Sequence, residues 1–93
     1  MPSDPPPAWV LVRRQMIGER IREARLHARL SQERLGELVG ADRKTIHRIE
    51  AGTSDPGLGL LLQIADAVGV RLADLVRVSP ARSTTGDEER AGP

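Results

Sequence analysis

The stretch that decides the fold runs from Ser31 to Gly52 and reads SQERLGELVGADRKTIHRIEAG. Its first half predicts a short helix from Gln32 to about Leu38. Ser31 is a favourable N-cap for it, and Gly40 can take the positive φ that ends a helix. Three apolar residues fall three to four positions apart and predict the inward face of this helix: Leu35, Leu38 and Val39.

The second half predicts another helix, which begins after a tight turn and ends near Glu50. Asp42 is its expected N-cap and Gly52 closes it. Ile46 and Ile49 form its inward stripe. The outer face is polar and basic: Arg43, Lys44, Thr45, His47 and Arg48. An amphipathic helix of this kind is shaped to enter a DNA major groove, although a helical corner with a cationic outer face is also a common solvated structure.

The charge of the chain is concentrated in the half that contains this helix pair. The net charge of the whole protein is only +1, but residues 10 to 50 hold ten Arg or Lys against six acids, and residues 51 to 93 hold four against six. A basic half of this kind is expected of a modest electrostatic footprint on phosphates.

Composition excludes several other classes of protein. The 93 residues suffice for one small domain, and the absence of Cys, Phe and Tyr excludes disulfides and Cys-based zinc sites and predicts an aliphatic core. No apolar run reaches the length of a membrane span, and the proline-rich start lacks the pattern of a signal peptide, so we expect a cytoplasmic protein. The two histidines, His27 and His47, stand apart without metal-ligand spacing, and no phosphate-binding loop is present. The sequence therefore predicts no enzyme, no metal, no cofactor and no small-molecule ligand.

The flanking sequence predicts three further helices between two unstructured ends. Residues 1–7 should form a flexible proline-rich arm, and the domain should span residues 8–78. A helix is expected from about Ala8 to Ala28, loosened at Gly18, because apolar residues recur there at helical spacing. Downstream, the predicted helices run from about Leu58 to Val68 and from about Arg71 to Val76, and residues 79–93 should be disordered. The apolar residues that support the two longer helices are Trp9, Val12, Met16, Ile17, Ile21, Ala24, Leu58, Leu61, Leu62, Ala65 and Val68.

With Gln32 as its first position, the helix pair resembles the helix-turn-helix of the lambda-repressor-like family, the Cro and phage-repressor class also called XRE. The matching positions are Gly36 fifth, where alanine is usual, Gly40 ninth, Ile46 fifteenth and Ile49 eighteenth. The likeness extends over about Gly18 to Val76 through Ile21, Arg22, Arg25, LSQERL, Glu50, Gly52, Pro56 and LLLQIADAVGVRLADL. It implies an all-α, compact five-helix domain that binds double-stranded DNA in a sequence-specific manner and regulates transcription.

The resemblance also implies roles for individual residues. Near the start of the reading helix and one turn further on, family members contact base edges, which here would be Arg43, Lys44, Thr45 and Arg48. Contacts to phosphates would come from Ser31, Gln32 and His47, although Gln32 and His47 could also be ordinary solvated residues. Arg25 resembles the first-helix arginine that pairs with the glutamate closing the reading helix, here Glu50; the pair is either buried and structural or a surface contact.

Two questions about partners remain open in the sequence. A protein-interaction module of the same fold, such as an antitoxin or a bridging factor, is the alternative to a DNA reader. A homodimer is expected because one reading helix contacts too few base pairs for a specific site. The dimer contact would lie either in the turns around Trp9, Val10 and Leu11, which we favour, or in the last helix with Leu72, Leu75 and Val76. Trp9 could instead cover the end of the core.

Overall fold

A computed structural model describes residues 4–77, which form five helices and no strand. The helices are α1 (Ala8–His27), α2 (Gln32–Val39), α3 (Arg43–Ala51), α4 (Leu58–Val68) and α5 (Leu72–Val76). The predicted all-α, five-helix domain is confirmed, with helix ends one residue or so from the predicted ones. Residues 1–3 of the predicted arm, Val78 and the predicted tail 79–93 lie outside the described residues. Among residues 4–77, no helix has the length and apolar character that crossing a membrane requires.

The core is aliphatic, as the composition predicts, and it lies between α1 and the four shorter helices. Burying each of its larger side chains stabilises the fold by about 1.5 to 3 kcal/mol. Each of the five helices contributes one large side chain that is completely or almost completely buried. The buried apolar residues are Ile21, Leu35, Val39, Ile46, Ile49, Ile64, Ala65, Val68 and Leu75.

Three leucines that the helical pattern places inside are exposed, and one isoleucine that it leaves out is fully buried. Leu38 is 47% exposed, and Leu58 and Leu62 are 64% and 51% exposed, whereas Ile64 is 0% exposed. In α4 almost every residue is apolar, so the sequence pattern alone does not select the inward face. Contact with α1, α2 and α5 selects the stripe around Ile64 instead.

Gly18 does not loosen α1, contrary to the prediction; it allows α1 to lie directly against the end of α3. The helix is continuous from Ala8 to His27, and Gly18 is buried in its middle. A Cβ at Gly18 would lie 2.5 Å from the carbonyl oxygens of both Ile49 and Glu50. A glycine is therefore required by the close approach of two helices and not by a flexible joint.

The long first helix also satisfies the free carbonyl groups at the ends of two shorter helices. The Arg14 Nε donates a hydrogen bond of 3.0 Å to the carbonyl oxygen of Gly52, the residue that ends α3. Arg20 donates to the carbonyl oxygens of Leu75 and Arg77 at the end of α5. The Arg14 bond attaches the N-terminal turns of α1, which the family pattern does not require, to the end of α3.

Candidate nucleic-acid interface

The turn between α2 and α3 is fixed by backbone hydrogen bonds and by two glycines. Gly40 takes φ 75°, in the left-handed region, and the next amide, of Ala41, donates a bond of 2.9 Å to the carbonyl of Gly36. A Cβ at Gly36 would collide with the carbonyl oxygen of Ala41. Glycine at position 36, where family members usually have alanine, therefore lets the Ala41 carbonyl lie directly against α2.

The predicted reading helix, α3, presents a basic outer face and a buried apolar back. Ile46 and Ile49 are 0% and 3% exposed, so α3 is anchored in the core. The predicted base-contacting cations Arg43, Lys44 and Arg48 are all exposed. His47 is exposed beside them, whereas Thr45 is half-buried.

Within residues 4–77, the cations of this face have no carboxylate within 4.0 Å. Thr45, the remaining predicted base contact, lies in the first turn of α3, where only part of its side chain can reach a ligand. The structure therefore gathers four of the predicted contact residues, Arg43, Lys44, His47 and Arg48, on one exposed surface of α3, and it leaves their polar atoms free to bind.

Asp42 caps α3 with its carboxylate, as the sequence predicts. Its Oδ1 accepts a bond of 2.8 Å from the amide of Thr45. Hydrogen bonding from Thr45, assisted by the positive charges of Arg48 and Lys44, lowers the pKa of Asp42 below its ordinary value. The negative charge of Asp42 also interacts favourably with the positive end of the helix dipole. The start of α3 is therefore well defined.

A buried ion pair fixes the other end of α3 to α1. The Arg25 Nε lies 2.6 Å from Glu50 Oε2, and its Nη2 lies 3.1 Å from Oε1, so the pair is bidentate. Arg25 and Glu50 are 7% and 6% exposed. Arg25 also donates a bond of 2.8 Å to the carbonyl of Leu30, directly before α2. Of the two possibilities that the sequence leaves open for Arg25 and Glu50, the structure therefore shows the buried, structural ion pair and not a surface contact.

The residues predicted to hold phosphates are partly engaged within the protein. The Ser31 Oγ accepts a bond of 2.9 Å from the amide of Arg34 and caps α2. The Gln32 Nε2 donates a bond of 3.1 Å to Glu50 Oε1. The sequence gives no sign of this bond, because the two residues are 18 positions apart.

A cleft that the sequence does not predict lies between α1, the start of α2 and the end of α3. Gln32, His47 and Glu50 line it together with Arg22, a residue that the resemblance quotes without giving it a role. In the sequence, Arg22 is connected with this cleft only by its position three residues before Arg25, which places both side chains on the same face of α1. Among the described residues, no group of three or more His, Asp or Glu side chains is arranged to hold a metal ion.

Comparisons with known proteins agree with this architecture. A profile of the family described as Helix-turn-helix matches residues 21–75. An uncharacterized HTH-type transcriptional regulator of Bacillus subtilis, YgzD, is 39% identical over 56 residues, which cover 60% of this chain and 85% of that protein.

Two solved structures are similar as well. The restriction-modification controller protein C.AhdI from Aeromonas hydrophila is 32% identical, with a TM-score of 0.67, over 70% of this chain and 94% of that one. The P22 c2 repressor, solved in complex with a synthetic operator, is 30% identical, with a TM-score of 0.64, over 68% and 96% of the two chains. The family profile covers more than half of the sequence, and its span contains the capped helix pair and the buried ion pair described above. This chain belongs to the lambda-repressor-like, or XRE, helix-turn-helix family.

Proposed function

We propose that this protein binds double-stranded DNA in a sequence-specific manner and regulates transcription, with α3 as the reading helix. The single observation that carries the proposal is the exposed basic face of a helix whose opposite face is buried and whose two ends are fixed by Asp42 and Glu50. The family relatives named as transcriptional regulators and the repressor solved on its operator support the same function. This is the function of a binding protein and not of an enzyme, and a cytoplasmic location stays a prediction that follows from it.

The cations of α3 are the proposed specificity residues. Arg43, Lys44 and Arg48 would donate to guanine O6 and N7, the acceptors that arginine and lysine match best in the major groove, so a G-containing half-site is expected. Thr45, half-buried beside the cap, would contact a thymine methyl group or a phosphate. Ser31, Gln32 and His47 would contact the sugar–phosphate backbone.

We also propose that the protein acts as a homodimer on a palindromic site, because two reading helices about one DNA turn apart supply the information that one lacks. The favoured contact is an apolar groove of about 250 Å³ beside the N-terminal turns of α1. Trp9, at its rim, is 62% exposed and does not cover the core. The groove is lined by Trp9, Val10, Ile17, Pro56, Leu61 and Val76, among others.

Selection of bound sequences from a random duplex pool tests this function and yields the operator. Affinity for the selected duplex should fall steeply with salt concentration, and Arg43→Ala or Arg48→Ala should cost about 1 to 3 kcal/mol on the operator while relaxing preference at one base pair. If these variants lost the same affinity for operator and scrambled duplexes, Arg43 and Arg48 would not be base contacts. Failure to bind duplex DNA at any salt concentration would refute the proposal in favour of the protein-interaction module.

A further inference from the structure

Arg48, one of the proposed base contacts, lies in the last turn of α3, close to the residues that end the helix. Its carbonyl oxygen accepts a bond of 3.0 Å from the amide of Thr53 and one of 3.3 Å from the Thr53 Oγ1. The backbone at Arg48 is therefore attached to the residues that follow the helix, Gly52 and Thr53, and a movement of these residues moves it as well.

Arg14, on α1, holds Gly52 by a directed side-chain bond. Its Nε donates a bond of 3.0 Å to the Gly52 carbonyl oxygen, and this bond is partly buried. It pairs a carbonyl group at the end of α3 and brings a positive charge to the negative end of the helix dipole. The two backbones also meet here, because a Cβ at Gly52 would lie 2.7 Å from the Cα of Gln15. The N-terminal turns of α1 thus support the end of α3.

The start of α3 is fixed independently of these turns. Asp42 caps it through the bond of 2.8 Å that its Oδ1 accepts from the amide of Thr45. If the end of α3 were released from Arg14, the helix would therefore pivot about its first turn. A hydrogen bond to a base edge requires a donor–acceptor distance of about 2.7 to 3.2 Å and a nearly straight angle. Arg48 would lose this geometry before Arg43, which lies beside the fixed start.

We propose that Arg14 is a positioning residue for DNA reading, which holds the last turn of α3 at the angle from which Arg48 reaches its base. The inference rests on the proposed function, since it requires α3 to enter the major groove. It assigns a role in sequence discrimination to turns of α1 that the family pattern does not require. Arg14 acts through α3 and does not itself contact the duplex.

Two substitutions that both remove the charge of Arg14 isolate its hydrogen bond. In Arg14→Gln, the amide nitrogen stands at the same position along the side chain as the arginine Nε, so it can donate to the Gly52 carbonyl oxygen. In Arg14→Met, a methyl carbon stands there, so the bond is lost while the length and flexibility of the side chain are kept. The two variants have the same net charge, and a difference between them therefore comes from the donor.

Fluorescence anisotropy with labelled operator and scrambled duplexes measures the ratio of the two affinities. A change in the fraction of folded protein alters both affinities equally and leaves this ratio unchanged. Arg14→Met should lower the ratio by roughly fivefold or more, the discrimination that one base contact supplies, and Arg14→Gln should keep it. On operators with single base-pair changes, Arg14→Met should relax preference at the base pair that depends on Arg48 and retain it at the one that depends on Arg43.

Hydrogen exchange in the free protein tests the same mechanism without DNA. The amides of Gly52 and Thr53 donate to carbonyl groups in the last turn of α3. They should exchange faster in Arg14→Met than in Arg14→Gln, because the turn opens more often without the bond from α1. The amide of Thr45, at the start of α3, should exchange at the same rate in both variants.

Three results would overturn the assignment. Equal affinity ratios for Arg14→Met and Arg14→Gln would show that the bond does not position the helix, and would leave the proposed function intact. Equal losses at the base pairs of Arg43 and Arg48, with faster exchange at both ends of α3, would show a general loosening of the helix. Weaker binding of both variants to both duplexes, with the slope of log affinity against log salt reduced by about one, would make Arg14 a phosphate contact. Absence of operator preference in the unaltered protein would instead refute the proposed function itself.

Discussion

Removing the Glu50 carboxylate should destabilise the whole domain, although Glu50 is not expected to contact DNA. In Glu50→Ala, the Arg25 guanidinium stays buried at 7% exposure without its counter-charge, and the Gln32 amide loses its acceptor. Breaking a buried pair from one side costs about 3 to 5 kcal/mol. Small domains are stable by only about 5 to 15 kcal/mol, so the variant should lose a large share of its stability.

Urea unfolding followed by far-UV circular dichroism measures this loss. For a domain of this size, a loss of about 3 kcal/mol lowers the melting temperature by more than about 10 °C. The matched control is Glu37→Ala, which removes the exposed pair with Arg34, at 2.9 Å and with both side chains 58% exposed. That variant should lose no more than about 1 kcal/mol, because solvent screens the pair.

A second variant separates the lost charge pair from the lost packing. Arg25→Met combined with Glu50→Leu replaces both charges by apolar groups of similar volume and should recover most of the stability, because no unpaired charge is left buried. A Glu50→Ala protein within about 0.5 kcal/mol of the unaltered one would show that the pair contributes no more than a surface contact, and the argument from burial would be wrong.

Three other changes follow from particular contacts. Gly36→Ala should destabilise the domain by up to about 2 kcal/mol, because the new Cβ meets the Ala41 carbonyl. Gly59→Ala should stabilise the domain by up to about 1 kcal/mol, because the new Cβ lies in open space on a helix. A higher urea midpoint for Gly36→Ala than for Gly59→Ala would contradict this. The lowered pKa of Asp42 means that its carboxylate stabilises the folded state above its ordinary value of 3.8 and that this contribution disappears as the pH falls through the lower folded value. Asp42→Asn should therefore lose less stability than the unaltered protein below about pH 4, and identical acid-unfolding profiles would contradict the assignment. Trp9→Ala should weaken the proposed dimer more than about 30-fold in light scattering, and an unchanged dimer would move the contact to α5.

The parts of the fold that depend on neighbours in sequence were predictable. Ser31 and Asp42 each accept the amide three residues ahead, so an N-cap needs only its own helix to be recognised. The inward isoleucines of α3 were predictable for the same reason, because a polar outer face leaves one apolar stripe. In α4 almost every residue is apolar, so the helix has no polar face to mark its exposed side, and Ile64 could be identified as core only once α1, α2 and α5 were in place.

Contacts between residues that are far apart in the sequence could not be predicted from their neighbours. Gly18 has the appearance of a weak point in a helical sequence, yet its missing side chain is what admits the end of α3. The bond from Arg14 to the Gly52 carbonyl joins residues 38 positions apart and fixes turns of α1 that the family pattern lacks. The family resemblance supplied the pairing of Arg25 with Glu50, but burial and bidentate geometry come from the structure alone.

The Glu50 carboxylate connects the stability of the domain with the arrangement of its proposed binding surface. Arg25 holds it from α1 and at the same time binds the Leu30 carbonyl before α2. Gln32, at the start of α2, binds the same carboxylate. The end of α3 and the start of α2 are thus placed by one buried group, and the cleft with Arg22 lies directly over it. A rearrangement of this pair would shift the reading helix and the backbone contacts together, so the two cannot be altered independently by substitution at this site.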